Sequence, residues 1–157
     1  MTYRIEPLRL APFTPLFAMS DTDLAAIGAR RMVADAPQSA PCRVSLTDAE
    51  PGGRLILVNH AHVTDPRSPY RAAHAIFVRE DAVEARPFVD AVPDMLTRRL
   101  LSVRVFDGGW MMTDADVVEG VDLDGRLIDW CGDPAVAEIH IHTARRGCYM
   151  ARAVRSA

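Results

Sequence analysis

The alternation of apolar and polar residues divides the chain into short strands more often than into helices. Thr2 to Leu10 alternates loosely through Tyr3, Ile5, Leu8 and Leu10, and predicts a first strand that Pro7 confines to an edge or ends. Pro12 to Phe17 predicts a packed turn. Ser20 with Asp23 three residues on predicts a helix N-cap, opening a short helix through Leu24 and Ile27 that Gly28 stops. Arg30 to Ala34 reads as a short strand and Asp35 to Pro41 as a loop. Cys42, Val44 and Leu46 alternate with polar residues and predict a strand over 42–46. After the turn Glu50-Pro51-Gly52-Gly53, the apolar run Leu55 to Val58 predicts a central strand buried on both faces. It runs into Asn59-His60-Ala61-His62, where polar groups abruptly begin.

Downstream, a loop from Thr64 to Tyr70 precedes a strand over His74 to Arg79, and Ala82 to Val92 carries no clear period. Pro93 suits the first position of a helix with Met95, Leu96, Leu100 and Leu101 at helical spacing. Val103 to Phe106, Asp107-Gly108-Gly109 and Trp110 to Met112 form the strongest hairpin signal in the chain. Val121 to Cys131 predicts a short amphipathic helix, weakened by Gly125. Ala135 to Ile141 predicts a strand that enters a closing hairpin. The sum is a single α+β domain over 1–157, a mainly antiparallel sheet of six to eight strands with two or three covering helices.

Composition narrows the classes. A chain of 157 residues, 49% hydrophobic and 25% charged, can bury a core without staples. No apolar run approaches the ~20 residues of a membrane span, and no basic leader precedes an apolar stretch, so we expect a cytoplasmic protein without membrane contact. Cys42, Cys131 and Cys148 are odd in number and lack CxxC spacing, which points to reduced thiols. All 18 basic residues are arginine, which excludes Schiff-base chemistry and a P-loop lysine. Residues 107–133 hold eight carboxylates and one cation, Arg126. The rest of the chain is too weakly basic to imply nucleic acid. An acidic face of this kind could meet an arginine-rich surface on a partner or on a second copy, so a non-catalytic interaction or homo-oligomerising protein is an alternative.

The densest chemistry lies in the closing hairpin, Glu138 to Arg152. Strand alternation puts Ile139 and Ile141 on one face and Glu138, His140 and His142 on the other. Arg145 and Arg146 stand at its turn. His60 and His62 repeat the H-x-H spacing, and the loop before His74 adds Tyr70 and Arg71. Convergence of Arg43, Arg71, Arg79 and Arg145 or Arg146 with Tyr70 and His142 would build a pocket for a small anionic molecule. The expected site is therefore His142, His74 and Cys148 as reacting groups, with Arg43, His60, Tyr70, Arg71, His140, Arg145 and Arg146 binding the ligand. No metal ligand is assigned and no cofactor is implied. The competing metalloprotein reading uses His60, His62, His140 and His142, with Asp114 or Asp116 as an oxygen donor. No G-x-S-x-G elbow supports a serine triad, and neither Gly-Gly pair opens a helix as a phosphate loop must.

Pro41 to Leu46, Ser68-Pro69-Tyr70-Arg71, Ile76 to Arg79 and Arg146-Gly147-Cys148-Tyr149 resemble, in this order, the hallmarks of an uncharacterised bacterial family of small domains of unknown function. The resemblance spans nearly the whole chain. It departs at Thr143, where relatives often carry asparagine. The family has no assigned activity, so the resemblance implies no catalytic residue, and whether the protein is an enzyme stays open here.

Overall fold

The computed structural model describes residues 2–156. The chain opens with β1 (Tyr3–Glu6), the short helices α1 (Thr14–Phe17) and α2 (Asp21–Ala26), and then β2 (Arg30–Val33). Two-residue strands β3 (Pro41–Cys42) and β4 (Thr47–Asp48) precede the long pair β5 (Arg54–Val63) and β6 (Ala72–Arg79). Next come β7 (Phe88–Val89), the single-turn helix α3 (Asp94–Thr97), β8 (Leu100–Asp107) and β9 (Met112–Glu119). A 3-10 turn leads into α4 (Leu123–Gly132), and β10 (Val136–Thr143) with β11 (Tyr149–Arg155) closes the chain.

The strands form two sheets, one ordered β7-β1-β11-β10-β8-β9 and the other β2-β5-β6-β3-β4. Pairing is antiparallel throughout the described residues except for the single bridge between β3 and β6. The fold is α+β and mainly antiparallel, as the apolar alternation predicts. Among the described residues, however, eleven strands divide between two sheets and four α-helices form, where one sheet of six to eight strands with two or three helices was expected.

The two faces of the six-stranded sheet are chemically different. One presents Tyr3, Ile5, Val103, Val105, Ile139 and Ile141 to Leu123, Leu127, Trp130 and Cys131 of α4, and this is the largest apolar cluster of the molecule. The α4 positions repeat at helical spacing, which is why a helix forms there despite Gly125. The opposite face meets β5 and β6 of the second sheet, and its strands bring histidines rather than aliphatic residues to that junction. Smaller clusters, around Phe13, Cys42, Val44, Ile76 and Val78 and around Leu24 and Ile56, complete the second sheet's core.

The helix of Ser20 forms as its cap predicts, with the Ser20 hydroxyl accepting from the Asp23 N–H at 3.1 Å and Gly28 at φ +75° behind it. The hairpin at Asp107 and the closing hairpin also form. Three expectations fail for tertiary reasons. Residues 42–46 are not a strand beyond Cys42. The Leu46 N–H turns back to the Cys42 carbonyl at 3.0 Å, with Leu46 at φ +51°, so that Val44 enters one apolar cluster and Leu46 another. The helix after Pro93 is one turn only, because Leu100 and Leu101 are taken into β8, opposite Glu119 and Val118 of β9. The strand at Leu55 does not end at Val58 but runs on through the histidines to Val63. No helix among the described residues is long and apolar enough to cross a membrane.

The link from α3 to α4 depends on one glycine. The Gly120 N–H donates to the Arg99 carbonyl at 2.8 Å, and a Cβ there would collide with the Leu96 carbonyl oxygen and lie 2.7 Å from the Thr97 carbonyl. Gly120→Ala should therefore lower stability by about 1–3 kcal/mol through overpacking against rigid backbone. Gly125→Ala, on the exposed side of α4 with nothing within 4 Å of a new Cβ, should raise it by about 0.5–1 kcal/mol. Urea unfolding midpoints of the two variants should move in opposite directions.

Candidate functional site

β5 and β6 are antiparallel neighbours with His60 opposite His74, so side-chain alternation puts His60, His62 and His74 on one face of the second sheet. β10 contributes His140 and His142 from the facing sheet, two residues apart on its non-apolar side. All five histidines of the chain thereby meet between the sheets, around His62 and the buried Tyr149 ring. Ring centroids separate His62 from His74 by 4.7 Å, from His142 by 4.8 Å, from His140 by 5.1 Å and from Tyr149 by 5.3 Å. His60 packs between Phe13 and Tyr149. Phe106 and Trp110 close over His140.

Hydrogen bonds assign the tautomers. The Glu138 carboxylate can only accept, so His140 presents Nε2–H to it at 2.8 Å. In the neutral imidazole this leaves Nδ1 of His140 as an acceptor, and Nδ1–H of His62 donates to it at 2.9 Å. His142 likewise donates Nδ1–H to the Gly147 carbonyl at 3.0 Å, an acceptor created by the turn of the closing hairpin. Both chains of donors push the remaining lone pair to Nε2. Those atoms, Nε2 of His62 and Nε2 of His142, are buried without a partner, and so is Nδ1 of His74. Unpartnered buried polar atoms are costly and rare, and three of them belong to one cluster. His62, His74 and His142 each offer a ligand atom within 4.8 Å of the other two.

The imidazoles of His60, His62, His74 and His142 are held toward the neutral form, and burial is the main cause at each of these four, assisted by neighbouring cations and rings. It pushes His62 down to about 3 and His142 to about 2, and also lowers His60 and His74. The charge of Arg104 is felt at His62, His74 and His142. Arg104 stands in β8 directly opposite His140, half-buried on the same face, a position that sequence spacing did not mark.

The expected site residues are divided by the structure. His74, His140, His142 and His60 come together. His62, assigned beforehand only under the metal reading, is the centre of the cluster. Arg43 is buried, but its guanidinium donates to the carbonyls of Tyr149, at 2.7 Å, and of Pro41, and so ties the two sheets together. Tyr70 is half-exposed and packs on Phe106. Arg71, Arg145 and Arg146 are exposed, and Arg79 pairs with Asp81 at 3.0 Å. The Cys148 thiol is half-buried and points to the Arg146 carbonyl at 4.0 Å. Asp114 and Asp116 lie opposite Val105 and Val103, on the face away from the histidines, where they bind Trp130 and Arg126. The arginines named beforehand do not converge. A groove of about 560 Å³ does open beside the cluster, reaching His60, His62, His140, Trp110 and Tyr149. Its acids are already paired, Glu84 with Arg9 and Glu6 and Glu138 with Arg152.

Residues 39–155 match the protein family of unknown function DUF1203. The chain belongs to that family. All five histidines, Tyr149 and Arg104 fall inside the matched segment. No curated protein and no solved structure matches the chain.

Burial of neutral imidazoles makes stability depend on pH. In the unfolded chain His62 and His142 take up protons below about pH 6.5, whereas the folded chain resists protonation down to about 3 and about 2. The unfolded state then binds more protons, so this contribution is complete above about pH 6.5 and is lost as pH falls toward the folded values. Urea midpoints of chelator-treated protein should drop between pH 7 and 4.5, and His142→Gln should flatten that dependence. An unchanged slope in the variant would show that His142 is not held neutral.

Proposed function

We propose that the protein is a metal-binding domain whose centre is His62, His74 and His142, taking one divalent first-row ion such as zinc. The observation that carries this reading is the coincidence of two independent features on the same three residues. They offer ligand atoms close together, and each keeps a buried ring nitrogen with no hydrogen-bond partner. Neutral imidazole is the protonation state a metal requires. In a tetrahedral site with bonds of ~2.1 Å the nitrogens would stand about 3.4 Å apart, so the present limit of 4.8 Å calls for a modest inward rotation of the rings.

The surroundings support the same assignment. Gly147 holds Nδ1 of His142 and His140 holds Nδ1 of His62, with Glu138 behind His140, the usual arrangement behind a metal-bound histidine. Three protein ligands, with no fourth in the group among the described residues, leave a position for water or an exogenous ligand, which distinguishes this centre from a closed structural zinc site. Three free thiols fit a reducing, cytoplasmic setting. His60 and His140, which the metal reading of the sequence included, become a groove wall and a positioning residue.

Protein purified without a histidine tag and stripped with chelator should take up one zinc or cobalt ion per chain, with a rise in melting temperature that grows with metal concentration. His62→Ala, His74→Ala and His142→Ala should each abolish tight uptake, whereas His60→Ala should retain it. Glu138→Gln should weaken it by roughly 10–100-fold through the His140–His62 chain. Elemental analysis and the visible spectrum of the cobalt form read these outcomes. Zero stoichiometry in the wild type would overturn the proposal.

A further inference from the structure

Arg71, Arg86, Arg104, Arg145 and Arg146 are the arginines that have neither a carboxylate nor a carbonyl partner among the described residues. Four of them are exposed, where water serves as the partner. Arg104 is half-buried. It stands in β8 opposite His140, with Ser102 of the same strand opposite His142, so its side chain leaves the sheet on the histidine side. Its other neighbour in register is Ala115 of β9, which offers no counter-charge. Glu138, the acid that bonds His140 across from Arg104, is held by His140 and by Arg152.

Arg104 is partly withdrawn from water, which disfavours its charge, and no carboxylate among the described residues offsets that cost. Beside three neutral imidazoles the imbalance deepens when a divalent ion binds, because no carboxylate belongs to the ligand set. The protein thus presents a metal position and a planar two-pronged donor side by side, with negative charge missing from both.

We infer that Arg104 is the anion-recognition residue of this centre, binding one oxygen of a small oxyanion while the metal binds another. The inference rests on the metal centre proposed above and assigns the chemical class of its exchangeable ligand. A carboxylate or a phosphate fits, because both present paired oxygens that match the guanidinium fork. A neutral or cationic ligand does not, because it would leave the charge of Arg104 and of the metal uncompensated.

The test uses the full chain, stripped and reloaded with one equivalent of zinc, and titrates it calorimetrically with inorganic phosphate in one arm and with oxalate in the other. The zinc-loaded wild type is expected to bind at least one of the two, and the arm that responds identifies the oxyanion class. Arg104→Met keeps the length of the side chain and should weaken that binding by about tenfold or more, the loss of a charge-assisted pair. Arg104→Lys, which keeps the charge but not the fork, should fall between. Zinc stoichiometry of both variants should remain at the wild-type value, with an affinity equal or tighter once a nearby cation is removed. Normal zinc uptake with no anion binding, or with equal binding by wild type and Arg104→Met, overturns this inference and leaves the metal centre standing. Failure of zinc uptake in the wild type overturns the metal centre and this inference together.

Discussion

The junction between the two sheets is polar, and the rest of the molecule is arranged around that constraint. Sheets that pack face to face normally share an aliphatic layer. Here one side of the six-stranded sheet is aliphatic and belongs to α4, while the side that meets β5 and β6 carries His140, His142 and Tyr149. Such a seam holds only if its donors and acceptors find one another. The chain from Glu138 through His140 to His62, the bond from His142 to Gly147 and the carbonyl contacts of Arg43 meet that requirement.

What those bonds leave over is as informative as what they satisfy. They occupy one nitrogen on His62 and one on His142, and leave the other of each buried and without a partner in rings that pack against His74. The backbone contributes as much as the side chains. A bulge in the β10–β11 pairing falls between Ile141 and His142, and Gly147 at φ +73° shapes the turn that supplies the carbonyl for His142. The closing hairpin is therefore a scaffold that aims two imidazoles, and its exposed arginines take no part in the cluster.

The site and the α4 core are coupled through single strands. Ile139 and Ile141 are anchored against α4, which leaves the alternate residues of β10 no choice but the inter-sheet side. The same holds for β8, where Val103 and Val105 face α4 and Arg104 faces the histidines. Packing energy on one face is thus converted into positional precision on the other, as the proposed metal centre would require.

Local chemistry in the sequence determined the α+β class, the Ser20 cap, the hairpin at Asp107 and the alternation of Ile and His in the closing strand. Each of these depends on neighbours within a few residues, and period and turn chemistry are readable at that range. The H-x-H pairs were legible as polar strand ends for the same reason. Partner choice was not. That His62 joins His74 and His142, that Arg43 serves carbonyls and that Arg104 lies opposite His140 follow from strand order and register, which join residues from 12 to more than 100 positions apart. Those pairings are set by burial of apolar surface summed over both sheets, a quantity that no local window contains. The strand expected over 42–46 and the helix expected after Pro93 yielded to the same sum: apolar residues at a regular spacing were buried by a turn and by a neighbouring strand instead.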